Sequence, residues 1–138
     1  MLPNRSIPAA TVIPELAYDD VAKASDWLCE AFGFTERLRM GNHRAQLVYG
    51  GGAVIVIARG MSADPVYDHR VLMRVEDAKS HFERAKAAGA RILREPEDHP
   101  FGERQYTCED PGGHVWTFSQ SIADVDPASW GATRINID

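Results

Sequence analysis

Apolar positions along the chain change period in a repeated order. Val12 to Tyr18 predicts a strand, after which Asp19-Asp20 offers a cap to a segment whose Val21, Ala24, Trp27, Leu28 and Ala31 recur at helical spacing. Gly33 closes that helix. Arg44 to Tyr49 then predicts a strand, joined through Gly50-Gly51-Gly52 to the β-branched run Ala53 to Ala58 as a hairpin. Gly60 to Asp68, with Ser62, Asp64 and Pro65, is a polar break.

The pattern then starts again. Arg70 to Val75 predicts a strand, Glu76-Asp77 a cap, and Ala78, Phe82, Ala85 and Ala88 the buried stripe of a second helix ending at Gly89. Arg91 to Arg94 predicts a short strand, Glu95 to Glu103 a loop, and Arg104 to Cys108 a strand entering the turn Asp110-Pro111-Gly112-Gly113. His114 to Ser119 is the last strand. Capping Asp and closing Gly are almost equally spaced in the two halves, Asp20 to Gly33 and Asp77 to Gly89, which implies internal duplication. Strand count disfavours a ferredoxin-like βαββαβ sandwich, provided that Glu36 to Arg39 supplies one further strand. The expected fold is α+β: two tandem βαβββ modules, at about 10–60 and 68–120, form a curved, cup-shaped mixed sheet with helices outside. Both belong to a single domain spanning 1–138, with a tail at 121–138 whose Trp130 is expected to dock on an apolar surface.

Composition narrows the function classes. With 138 residues, 44% hydrophobic and 25% charged, the chain has the balance of one soluble globular unit. A net charge of -5 without clustered Lys or Arg argues against a nucleic-acid or anionic-membrane partner. The longest apolar run, Ala53 to Ala58, is too short to cross a bilayer, and Met1 to Arg5 lacks the apolar run of a signal peptide. Cys29 and Cys108 lie far apart and are expected to be small buried hydrophobes in a reduced, cytoplasmic protein.

Three segments carry a resemblance beyond element order. They are Ile13 to Phe34 with its Ala-Phe-Gly-Phe ending, the helix end Ala87-Ala-Gly-Ala-Arg-Ile92, and Asp110-Pro-Gly-Gly-His-Val-Trp-Thr-Phe118. Together they resemble the vicinal oxygen chelate superfamily, in its glyoxalase, bleomycin-resistance protein and dioxygenase branch, over most of residues 10–120. In its metal enzymes the resemblance implies four ligands on the strands: His, Glu or Gln on each module's first strand and Glu on each last strand. Counting from the caps and from Pro111 puts those positions on Ile13, on Arg70, on Thr117 and within Val54 to Ile57. Isoleucine and arginine offer a divalent cation no donor. Moving one residue to His69 turns the side chain to the other face. No metal and no cofactor are therefore expected.

His43, His69, His81, His99 and His114 show no metal-binding or nucleophile-base spacing and are read first as structural or surface residues. His81 is assigned to an exposed helix face, and His99 is placed where it could edge a pocket. Alternation puts Ile13, Glu15 and Ala17, then Arg44, Gln46 and Val48, then Arg70, Leu72 and Arg74, and finally Val115, Thr117 and Ser119 on the cup side, with Trp116 and Phe118 against the helices. Tyr106 or Arg104 could add a stacking surface or an anion contact, depending on which faces inward. The candidate ligand-binding set is Glu15, Arg44, Gln46, Arg70, Arg74, Tyr106 and Thr117, expected to converge on one cavity. The bland alternative is a buried ion pair between Glu15 and Arg70 or Arg74. Three functions compete. The first is a metal-free small-molecule binding protein of the bleomycin-resistance kind. The second is a metal-free enzyme, since a carboxylate such as Glu15 held away from water can serve as a base near neutral pH. The third is a metal-dependent lyase, isomerase or dioxygenase. The resemblance also implies a homodimer, with the cup built within one chain or shared between two.

Overall fold

The computed structural model describes residues 4–60 and 70–133. Most of the polar break and His69 lie outside the described residues. The order is β1 (Glu15–Tyr18), α1 (Val21–Phe32), β2 (Thr35–Met40), β3 (Arg44–Tyr49), β4 (Gly52–Ala58), β5 (Arg70–Arg74), α2 (Ala78–Ala87), β6 (Arg91–Asp98), β7 (Glu103–Glu109) and β8 (Val115–Ser121), then a 3-10 turn at Pro127–Trp130. Each half is βαβββ.

The strands form two four-stranded mixed sheets, ordered β1-β4-β3-β2 and β5-β8-β7-β6. In each, the first strand pairs parallel to the last and the other pairs are antiparallel. Local chemistry explains the elements. Asp20 accepts the Lys23 N–H at 3.1 Å, and Gly33, at φ 86°, takes the left-handed cap conformation while donating to the Cys29 carbonyl. The Asp77 carboxylate accepts from Lys79 and Ser80 N–H groups in the same way. Strand β2 fills the place assigned to Glu36–Arg39. It pairs with β3 through a bulge between Glu36 and Leu38.

Two boundaries differ from the sequence reading. The β1 ladder begins at Glu15, not Val12, although the Pro14 carbonyl still accepts the Ile55 N–H at 2.9 Å. Strand β6 runs to Asp98 through a stretch expected to be loop. Its irregularities, between Ile92 and Arg94 and between Arg94 and Glu97, absorb Pro96 on a sheet edge, where a missing N–H removes no interior ladder bond.

One core joins the halves. Leu16, Tyr18, Leu28, Phe32, Leu47 and Val56 from the first pack with Phe82, Tyr106, Cys108, Trp116 and Phe118 from the second. The Phe32 ring centroid lies 5.1 Å from that of Trp116 and 4.8 Å from that of Phe118. The helix-side faces of both sheets are therefore committed to shared packing, and each sheet's other face turns away from it.

Polar ties cross the same seam. Asp110, only 4% exposed, accepts Tyr18 Oη at 2.5 Å and Trp116 Nε1 at 3.0 Å on one oxygen, and the N–H groups of Gly112 and His114 on the other. Trp27 Nε1 donates to the Ala88 carbonyl, and Arg84 to those of Glu30 and Cys29. His81, assigned to an exposed face, is buried instead: Nδ1 meets Tyr106 Oη and Nε2 meets the Phe32 carbonyl at 2.9 Å. A carbonyl can only accept, so Nε2 carries the proton and Nδ1 accepts from the tyrosine. The correction has a simple cause. His81 neighbours Phe82 on a stripe that also packs against α1, so two adjacent positions of α2 face inward.

Candidate functional site

On the first sheet, register brings Leu38, Gln46, Ile55 and Glu15 into one row of the open face and Met40, Arg44, Ile57 and Ala17 into the next. Glu15 is 51% exposed and meets Arg44 at 3.4 Å. Gln46 is buried and fully engaged. Its Oε1 accepts from Arg37 at 2.5 Å, its Nε2 donates to the Ser6 carbonyl at 2.8 Å, and Arg37 also donates to the Arg5 carbonyl. The chain's own segment at 4–8, with Pro8 buried, thus lies against this face at Gln46.

The second open face has a different character. Its rows are Arg70, Val115, Glu109 and Arg91; Leu72, Thr117, Thr107 and Arg94; and Arg74, Ser119, Gln105 and Glu97. The Thr107 and Thr117 hydroxyls lie 3.0 Å apart, Gln105 donates to Ser119 Oγ, and Ser119 Oγ donates to Glu103 at 2.7 Å. That hydroxyl contact holds the Glu103 carboxyl below its ordinary pKa. Arg70, Arg94, His99, Gln105, Thr107 and Thr117 share a pit of about 180 Å³ with Glu95 and Glu97.

The predicted site residues are divided between these faces. Thr117 lies on the open face, and its neighbours Trp116 and Phe118 are fully buried against the helices. Arg70 joins Thr117 in the pit, whereas Arg74 lines a separate groove of about 640 Å³ beside Gly50–Gly52 and Gln120. Glu15 and Arg44 pair on the other sheet, and Gln46 is enclosed there. Convergence on one cavity is therefore not seen among the described residues, because the shared core turns the two open faces away from each other. The alternative reading, a buried ion pair of Glu15 with Arg70 or Arg74, is not seen among the described residues either: all three are exposed, and Glu15 pairs with Arg44. Tyr106 is also misplaced by the sequence reading. It is fully buried on the helix side, opposite Phe118, where burial pushes its phenol well above the ordinary tyrosine range. Arg104, two residues earlier on the same face, pairs with Asp98 at 2.6 Å.

The sequence pattern marks Asp110 only as a turn residue. Its signal was the phrase Asp-Pro-Gly-Gly followed at once by buried His114 and Trp116, a turn leading directly into core.

A metal does not fit the positions that the fold type provides. Ile13 and Arg70 have no suitable donor, Thr117 Oγ1 is hydrogen-bonded to Thr107, and β4 presents Ile55 and Ile57. Among the described residues, no group of three or more His, Cys, Asp and Glu is placed to hold a metal ion.

Two βαβββ halves with open faces rich in side chains define the class, and the sequence comparison agrees. The chain belongs to the Glyoxalase/Bleomycin resistance protein/Dioxygenase superfamily, whose sequence model matches residues 10–118. TioX from Micromonospora sp. ML1 is 36% identical, with a TM-score of 0.72 over 83% of this chain and 100% of TioX. A family enzyme from Burkholderia phytofirmans PsJN has a TM-score of 0.71 at 18% identity, over 83% of this chain and 100% of its own, a likeness that bears on the fold alone. An uncharacterized protein of Mycobacterium bovis is 27% identical over 131 residues, 82% of this chain and 84% of its own length.

Proposed function

We propose that this protein is a metal-free, cytoplasmic small-molecule binding protein acting as a homodimer, with the ligand held on the open face of the second sheet. The observation that carries the reading is the set of hydrogen-bonding side chains gathered in the pit at Arg70, Arg94, Gln105, Thr107 and Thr117. Ligand sites combine a concave surface with a few placed polar groups, and this face supplies both.

The dimer reading rests on the open faces. Leu38, Met40 and Leu72 stand exposed on them, Leu72 at 62%. A second copy placing its apolar first face over this chain's polar second face would close a cup that one chain leaves open, and would bury those residues. Glu15 as a catalytic base is the second reading. It is weaker because Glu15 is half exposed and beside Arg44, not in the dry surroundings that such a base needs.

The test combines sedimentation, elemental analysis after dialysis, and thermal denaturation against a library of small acids, amides and amines. A ligand at about 100 times its Kd adds about 2.7 kcal/mol, a rise in Tm of about 10 °C. A dimer free of metal with such a shift is expected. About one metal per chain, or no shift with any compound, would overturn the proposal.

A further inference from the structure

Neither the Arg70 nor the Arg94 side chain forms an ion pair or hydrogen bond among the described residues. They project from β5 and β6, the two edges of the second sheet, and the Thr117 and Thr107 hydroxyls stand on the strands between them. Two guanidinium groups thus flank the paired hydroxyls, and the two forks together with the one hydroxyl proton not used between the threonines can serve oxygen atoms of one anionic group. Each guanidinium is a planar fork suited to carboxylate.

Beside this clamp one end of an aromatic stack reaches the pit. His99 belongs to the pit lining and stacks on Phe101, with centroids 5.0 Å apart and planes within 7°. Phe101 in turn meets Trp130 at 5.6 Å. Trp130 keeps 47% of its surface exposed, so its ring remains open to a ligand. Its tail is fastened deliberately: the Ile122 and Ala123 N–H groups donate to the Gly102 carbonyl, and a Cβ on Gly102 would fall 2.4 Å from the Ala123 carbonyl oxygen. Gly102, at φ 85°, is therefore required where the tail crosses next to Phe101.

Resting on the reading of this face as the ligand site, we infer that its ligand class is a planar aromatic acid, its carboxylate between Arg70 and Arg94 and its ring beside the His99–Phe101–Trp130 stack. Glu95 and Glu97 also line the pit. They make an ammonium ligand the competing class, so the experiment includes one.

Calorimetry on the full chain with three probes of one ring system, 2-naphthoate, 2-naphthamide and 2-naphthylmethylamine, tests this. Naphthoate should bind more tightly than the other two. The double variant Arg70→Gln/Arg94→Gln should weaken naphthoate about ten- to a hundredfold, the scale of charge-assisted contacts, while the amide keeps its affinity. Phe101→Ala should weaken all probes that bind by about two- to tenfold, with His99→Ala as a second variant should the first not fold. Preference for the amine, equal affinity for acid and amide, or arginine variants without effect would overturn the aromatic-acid assignment and leave a small-molecule site on this face. Absence of binding by all three probes would overturn the assignment and the site together.

Discussion

Replacing Asp110 by Ala removes the one carboxylate at which β1, β8 and the intervening turn meet. It would strand two buried side-chain donors, Tyr18 Oη and Trp116 Nε1, and release the N–H groups of Gly112 and His114. An unpaired buried donor costs about 1–3 kcal/mol, so the side chains alone predict a loss of about 2–6 kcal/mol, a large part of the 5–15 kcal/mol typical of a domain. The two N–H groups sit nearer the turn, where water can replace the carboxylate, and add less. Tyr18→Phe removes one donor cleanly and should lose about 1–2 kcal/mol. Because it also removes the penalty of stranding that donor, the double variant should be less destabilised than the sum by about 1 kcal/mol or more. Guanidinium unfolding followed by tryptophan fluorescence measures all three. An Asp110→Ala loss below about 1 kcal/mol, or strict additivity, would refute the claim that this network joins the halves.

Gly112→Ala should destabilise by about 1–3 kcal/mol, since its Cβ would lie 2.4 Å from Tyr18 Cδ2 and that ring is fixed by Asp110; chemical denaturation reads the difference. Ser25→Ala should raise stability by up to about 1 kcal/mol, because Ser25 Oγ is buried without a hydrogen-bond partner, and equilibrium unfolding should show a higher midpoint. Burial lowers the His81 pKa in the folded protein, so folding favours the neutral ring. Stability from this group is full above the unfolded value of about 6.5 and falls as pH drops through it toward the lower folded value; His81→Gln should flatten that part of the stability–pH curve.

The fold was legible because its strongest signals are local. Asp20 with Gly33 and Asp77 framed the helices, and the glycine run at 50–52 with the β-branched residues after it framed the hairpin. The β6 boundary was not, because Pro96 among acids reads as loop unless its place on a sheet edge is known. The side-chain alternation of β8 was legible from period alone, since Trp116, Thr117 and Phe118 differ so sharply in character. His81 and Tyr106 failed for the opposite reason. Each is amphipathic and acceptable in water or in a core, and only a partner distant in sequence decides between them. These two residues are each other's partner.

Strand face was legible in the sequence; the place where a ligand would sit was not. Period two correctly assigns Glu15, Arg44, Gln46, Arg70 and Thr117 to open faces, yet it cannot say whether two open faces meet. That is set by where the aromatic bulk goes. Phe32, Trp116 and Phe118 draw both helix-side faces into one core, and the open faces separate as a consequence. The separation gives the two faces different chemistry. The first spends Gln46 and Arg37 on holding residues 5 and 6, leaving Leu38, Met40 and Ile57 as its apolar surface. The second keeps Arg70 and Arg94 unpaired over a floor of hydroxyls. In the proposed dimer, the partner's first face would add an apolar wall opposite this chain's hydroxyl floor and its own aromatic stack. Dimer dissociation should therefore weaken ligand binding even though the arginines are untouched, and dilution below the dimer's dissociation constant separates this from a site contained in one chain.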